Sequence, residues 1–197
     1  MSIELKYDSV AALIAAAEKA GEPLSALVLR QQAVQLEKTE QEVFDQMAET
    51  YKVMAACIEP GCAEDLRSTS GLTGGSAFKM RKAVENGNTL TGGVLGGALY
   101  RALAVSELNA AMGRVVAAPT AGSCGILPAA LLTMQNDLGC SEHDCVMALF
   151  TASAVGMVIA TNACVAGAQG GCQAECGSAA AMAAAAIVEL AGGTPAQ

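Results

Sequence analysis

Apolar residues recur at helical spacing from one end of this chain to the other, and strict strand-like alternation is scarce. The first run, VAALIAAAEKA at 10–20, has Asp8 or Ser9 as a cap and Gly21 as a stop. Pro23 opens a second helix to about Glu37. Thr39, with Glu42 three residues on, has capping-box spacing for a third helix through about Ile58, ended by Pro60 and Gly61. A fourth covers Ala77 to Glu85, before the turn ENGN. The next runs from about Val94 to Met112, with Gly113 as its C-terminal cap. Pro128 falls where the first turn of a helix through Asp137 tolerates it. Ser141, with Asp144 behind it, starts a long apolar helix to about Thr161, and the last helix spans about Gln173 to Leu190. The pattern predicts an all-α fold: a compact bundle of about seven or eight helices in a single domain over 1–197.

Charge divides this pattern. All the Lys and Arg lie at or before Arg114, and beyond it only Asp137, Glu142, Asp144, Glu175 and Glu189 carry formal charge. The polar helices of about 1–60 therefore read as a surface layer, and the apolar part, about 61–197, as the core. Hydrophobic residues make up 53% but aromatics only 3%, so close packing of helices through Ala and Gly is expected. A net charge of −8 without a basic cluster argues against nucleic acid as a partner.

The opening MSIELKYDSV has no apolar core behind a basic start, so it does not read as a secretory signal and the expected compartment is the cytoplasm. The uncharged run between Asp144 and Glu175 is long enough to raise a membrane span. It is interrupted by Thr151, Ser153, Thr161, Asn162 and Gln169 and has no flanking Lys or Arg, so a buried helix and no membrane partner are expected.

Three polar, glycine-rich connectors separate the apolar helices: STSGLTGGSA (68–77), APTAGSCG (118–125) and NACVAGAQGGC (162–172). Each lies beside a helix start, where free backbone N–H groups attract anions. Ser70, Gly71, Thr73, Thr120, Ser123 and Asn162 are candidates to bind a small carboxylate or amine; the competing reading is helix capping. No GK[ST] or GxGxxG fingerprint appears in a nucleotide-binding setting.

In a reducing compartment the eight cysteines read as free thiols or metal ligands rather than disulfides. Cys172 and Cys176 stand one helical turn apart in GGCQAECG. By their residues alone they remain ligands, nucleophiles or small buried apolar side chains. No CxxC or His pair completes a zinc set. Cys124 packs beside or lines the presumed site; Cys57 and Cys62 read as exposed or packed thiols, and Cys140 and Cys145 carry no assigned role. His143, the only histidine, reads as a solvated residue in a helix first turn, and the Met residues as core.

Read together, STSGLTGG (68–75), ELNAAMG (107–113), APTAGSCGILPAALL (118–132), AGAQGGCQAE (166–175), AAAMAAAA (179–186) and GGTPAQ (192–197) resemble the α subunit of the iron-sulfur-dependent L-serine dehydratases. The resemblance implies a lyase that converts L-serine to pyruvate and ammonia at a 4Fe-4S cluster, without pyridoxal phosphate. There an iron with an open position acts as Lewis acid on the serine hydroxyl. It maps one cluster ligand onto Cys172 and makes Cys176 a packing residue. The other two ligands belong to downstream CDP and VPC motifs that this sequence lacks, so the chain is expected to be a C-terminally shortened α subunit, inactive alone. It further implies a β subunit partner, whose SSSHT-type motif is absent here and is expected to supply the α-proton base, and self-association through Ala/Gly helix faces. No catalytic residue of this chain is assigned. The sequence departs from the family pattern at Thr69, Ser76, Cys164, Ala166 and Cys176. Two other readings are a thiol or iron-sulfur redox protein without lyase activity and a metal-free helical interaction module.

Overall fold

The helix starts follow the short polar residues that precede them. In the computed structural model, which describes residues 7–197, Ser9 caps helix α1 (Val10–Ala20) by accepting the Ala12 N–H at 3.1 Å. Gly21, at φ 70°, closes it and passes the chain through Pro23 into α2 (Leu24–Gln35). Of the opening MSIELKYDSV, on which the absence of a secretory signal is read, residues 1–6 lie outside the described residues. Thr39 and Glu42 form both halves of the capping box on α3 (Glu40–Ala56), a device worth about 1 kcal/mol. Ser141 does the same work for α8 (Glu142–Asn162) by accepting the Asp144 N–H at 3.1 Å. Between these lie α5 (Ser76–Glu85), α6 (Gly92–Ala110) and α7 (Ile126–Leu138), and α9 (Gly167–Leu190) completes the chain. No strand occurs among the described residues, and eight of the helices have ten or more residues, as an all-α bundle requires.

Two boundaries differ from the sequence reading. Pro60 and Gly61 do not end the helical course; they sit inside a single extra turn, α4 (Ile58–Gly61). A first-turn proline loses no intrahelical hydrogen bond, and Gly61 is pressed onto α6, where any Cβ would overlap the Ala104 carbonyl. At the end of α6 the left-handed residue is Met112 (φ 62°), not Gly113. Gly113 instead donates its N–H to the Leu108 carbonyl at 2.9 Å and lies so close to the Leu108 side chain that a Cβ there would collide. Glycine is thus needed for space at 113, and the exposed Met112 takes the unfavourable φ.

One core unites the polar and apolar parts of the chain, which corrects the division into surface layer and core. Leu13, Val28 and Tyr51 from the front helices are buried with Leu127, Leu131, Val146 and Phe150 from the back. Full burial of each such side chain stabilises the fold by about 1.5–3 kcal/mol. Helix α8 is central, packed on α2, α3, α7 and α9. By length and mean hydropathy (1.7) it could cross a membrane, yet 56% of that window is buried within this protein, as expected of a core helix. Arg101 joins α6 to α7, donating to Asp137 at 2.6 Å and to the Thr133 hydroxyl at 2.9 Å.

Helix α9 is interrupted at Gly171 (φ 70°, ψ −179°). A short turn, 167–170, precedes the break, and the long helical stretch follows it from 172, close to the expected start at Gln173. Cys172 is therefore the first residue of that stretch.

Candidate functional site

Two carboxylates and one amide organise the connectors. Helix α6 ends in ELNAAMG, and its Glu107 accepts the N–H groups of Gly75 (3.0 Å), Ser76 (2.8 Å) and Ala77 (3.4 Å) at the start of α5. The negative charge meets the positive end of the helix dipole there. Two residues on, Asn109 donates its side-chain N–H to the Ala121 carbonyl at 3.1 Å, in the 118–125 connector. The Thr69 backbone N–H donates to the Ala110 carbonyl at 3.0 Å. The last turn of α6 is thus the hub that holds the first two connectors.

Glu175 of α9 fixes the second connector from the other side. Its Oε1 accepts the Thr120 hydroxyl at 2.6 Å. Two glycines flank the carboxylate: a Cβ at Gly122 would stand 2.9 Å from Oε2, and one at Gly167 would overlap it. The second and third connectors therefore meet at Glu175. Its Oε2 accepts no hydrogen bond and pairs with no Lys or Arg among the described residues.

The six binding candidates are not gathered at one point. Ser70, Gly71 and Thr73 occupy an exposed tip closed on itself. There the Ser68 and Ser70 hydroxyls are 3.1 Å apart, and Gly71 (φ 73°) donates to the Ser68 carbonyl at 2.8 Å. The expectation of free N–H groups beside this connector is corrected, because Glu107 already fills the start of α5. Thr120 is half-buried against Glu175. Ser123 is buried, and its hydroxyl donates to the Ala118 carbonyl at 3.3 Å within its own connector, which includes a cis Ala118–Pro119 peptide. Asn162 is exposed and only donates back to the Val158 carbonyl of its own helix, at 2.9 Å. Of the six, Thr120 and Ser123 share a neighbourhood; no hydrogen bond links the others to them among the described residues.

The thiols fall into two populations. Cys57, Cys62, Cys124 and Cys145 are buried, and burial raises the pKa of each, that of Cys145 to about 11. Cys172 and Cys176 are both exposed, so Cys176 is not the packing residue expected of it. It lies on a solvent-facing surface of α9. Cys164 is half-buried; its sulfur accepts the Ala166 N–H at 3.3 Å and donates to Gln169 Oε1 at 3.0 Å. No three His, Cys, Asp or Glu side chains converge on a metal-sized point among the described residues. These residues alone do not fit a three-thiolate cluster site. His143 is exposed and stacks on Phe44 with ring centroids 4.9 Å apart, as a solvated first-turn residue.

Glu107, Asn109 and Glu175 were not singled out from the sequence as site residues. The signal for Glu175 was present, as one of very few charges in the apolar part of the chain and the end of a motif. Nothing in the spacing of ELNAAMG shows that its carboxylate reaches α5.

Residues 19–197 match the family model described as serine dehydratase alpha chain. The chain is 45% identical over 174 residues to a probable L-serine dehydratase alpha chain of Bacillus subtilis, covering 88% of this chain and 58% of that one. It is 38% identical to the L-serine dehydratase alpha chain of Peptoniphilus asaccharolyticus, over 85% of this chain and again 58% of the relative. Along its whole length it is 34% identical to L-serine dehydratase 1 of Escherichia coli, of which it covers 44%. The chain thus spans about half the length of these relatives, from 44% to 58%. Glu107, Asn109 and Glu175 tie several of the motif segments together, and the match over 19–197 places this chain in the serine dehydratase alpha chain family.

Proposed function

We propose that this chain is the connector-bearing part of an L-serine dehydratase, which eliminates water from L-serine and releases pyruvate and ammonia. The observation that carries the reading is the family match over 19–197, in a chain where Asn109 and Glu175 hold the 118–125 connector from two sides. In this reaction the α-proton leaves as the β C–O bond breaks. The resulting aminoacrylate tautomerises to an imine, and water then yields pyruvate and ammonia.

Cys172 is proposed as the residue this chain offers to a 4Fe-4S cluster. It is exposed, directly follows Gly171 and begins a helix, where free N–H groups favour a thiolate. The described residues provide no complete ligand set, so the remaining ligands are assigned to other parts of the enzyme. A β chain is the proposed partner and the source of the α-proton base, since His143 lies on the exposed start of α8. Around the junction, Ser123 and Asn109 hold the 118–125 backbone, and Thr120 and Glu175 present polar atoms beside the start of the Cys172 helix. A cytoplasmic location and self-association through Ala/Gly faces belong to the same proposal.

The complete protein, purified without oxygen, tests it by iron and labile sulfide content together with pyruvate formed from L-serine. The reading expects both, and expects Cys172→Ser to lose both. A reversible redox signal indifferent to serine would favour a redox protein instead. Absence of iron, with no change on Cys172→Ser, would favour a metal-free interaction module.

A further inference from the structure

We propose that Glu175 binds the substrate's α-ammonium group and so selects an amino acid over the matching hydroxy acid. The inference rests on the dehydratase reading above and names a residue for it. Three observations carry it. Glu175 is the carboxylate at which the connectors 118–125 and 162–172 meet. Its Oε1 is held by the Thr120 hydroxyl at 2.6 Å, which fixes the direction of the group. Its Oε2 has no hydrogen-bond or ionic partner among the described residues, and the residues on either side of it, Gly122 and Gly167, have no side chain.

An orientated carboxylate with one free oxygen suits a primary ammonium, which donates to it with charge assistance. Gly122 and Gly167 lie directly against the carboxylate, and a Cβ on either would crowd Oε2. Glu175 also stands three residues after Cys172, so the two side chains lie on neighbouring positions of one helical surface. A small substrate held at Glu175 is thereby kept beside the start of that helix. Glycerate, which carries a hydroxyl where serine carries its ammonium, gains no charge-assisted bond there.

A structural alternative exists, since a carboxylate in the first turns of a helix also favours the helix dipole. That role predicts a loss of stability on neutralising Glu175 and no change in substrate choice. The test uses the complete dehydratase, assembled with its β chain without oxygen, in wild-type, Glu175→Gln and Glu175→Asp forms. Gln keeps an oxygen for Thr120 and almost the same shape, so the fold is expected to survive, as a thermal melt checks. The expected result is a KM for L-serine raised about 10- to 100-fold in Glu175→Gln, with kcat changed far less. The inhibition constant of glycerate stays within about threefold, so the preference for the amino acid collapses, and Glu175→Asp restores part of it. An unchanged serine-to-glycerate preference in active Glu175→Gln enzyme would overturn the assignment and leave the dehydratase reading standing. A wild-type enzyme that forms no pyruvate would overturn both.

Discussion

Helix α9 carries two glutamates, each accepting a threonine hydroxyl, in two different settings. Near its start, Glu175 accepts from Thr120 at 2.6 Å, at a junction of connectors flanked by glycine and exposed thiols. Near its end, Glu189 accepts from the buried Thr151 at 2.5 Å and from the Ser25 N–H at 3.4 Å, joining α8 and α2. The chemistry of the pair is the same, but the surroundings are not. Glu189 satisfies donors that the core would otherwise leave without a partner, whereas one oxygen of Glu175 has no donor among the described residues. One end of the helix joins core helices, and the other is the end to which the proposal assigns substrate binding.

Removing the Glu189 carboxylate is the largest break in that contrast. Glu189→Ala leaves the Thr151 hydroxyl buried without an acceptor, which costs about 1–3 kcal/mol. Urea unfolding monitored by circular dichroism is expected to show the lowered midpoint.

Glycine positions sharpen it further. Gly125 faces the Ala102 carbonyl of α6, a backbone group that cannot swing away, so Gly125→Ala is expected to cost about 1–3 kcal/mol. Gly167 faces only the end of the Glu175 side chain. Gly167→Ala is expected to push that carboxylate off Thr120, weakening serine binding while stability changes by about 0.5 kcal/mol or less. Melting curves and serine KM, measured on both variants, separate the two outcomes.

The thiols extend the comparison. Alkylation of the native protein at pH 8, followed by peptide mass spectrometry, is expected to label Cys172 and Cys176 first. Cys57, Cys62, Cys124 and Cys145 are expected to remain unlabelled until the protein is unfolded. The smallest effect is alkaline. Burial raises the Cys145 pKa to about 11 from an ordinary 9.0, so between those values the unfolded chain releases a proton that the folded chain retains. Stability contributed by the protonated thiol is fully present below pH 9 and falls as pH rises toward 11. Burial also raises the Tyr51 pKa, which acts in the same direction. Unfolding midpoints are expected to be level from pH 7 to about 9 and to decline above it; Cys145→Ala is expected to flatten part of the decline.

The helices were legible because their starts rest on local chemistry: Ser9, Thr39 and Ser141 bond to N–H groups three residues away. The Glu-containing motifs were legible as resemblance but not as geometry. Glu107 reaches α5 across 30 to 32 residues and Glu175 reaches Thr120 across 55, separations that no local pattern encodes. Gly113 and Pro60 were misread for a related reason. Each answers to what packs against it, Leu108 for one and α6 for the turn containing the other, rather than to an intrinsic tendency to stop a helix. Cys176 was expected to pack because cysteine usually does, while its exposure depends on which side of α9 the bundle covers.

The most direct test of the division within α9 is a paired measurement on Glu175→Ala and Glu189→Ala in the complete protein: the urea midpoint and, on the proposed activity, the KM for L-serine of each. Opposite outcomes are expected, with Glu175→Ala raising KM while leaving the midpoint near wild type, and Glu189→Ala lowering the midpoint while leaving KM near wild type. If both variants shifted the midpoint alike and neither changed KM, the two glutamates would share one structural role and the account would be contradicted.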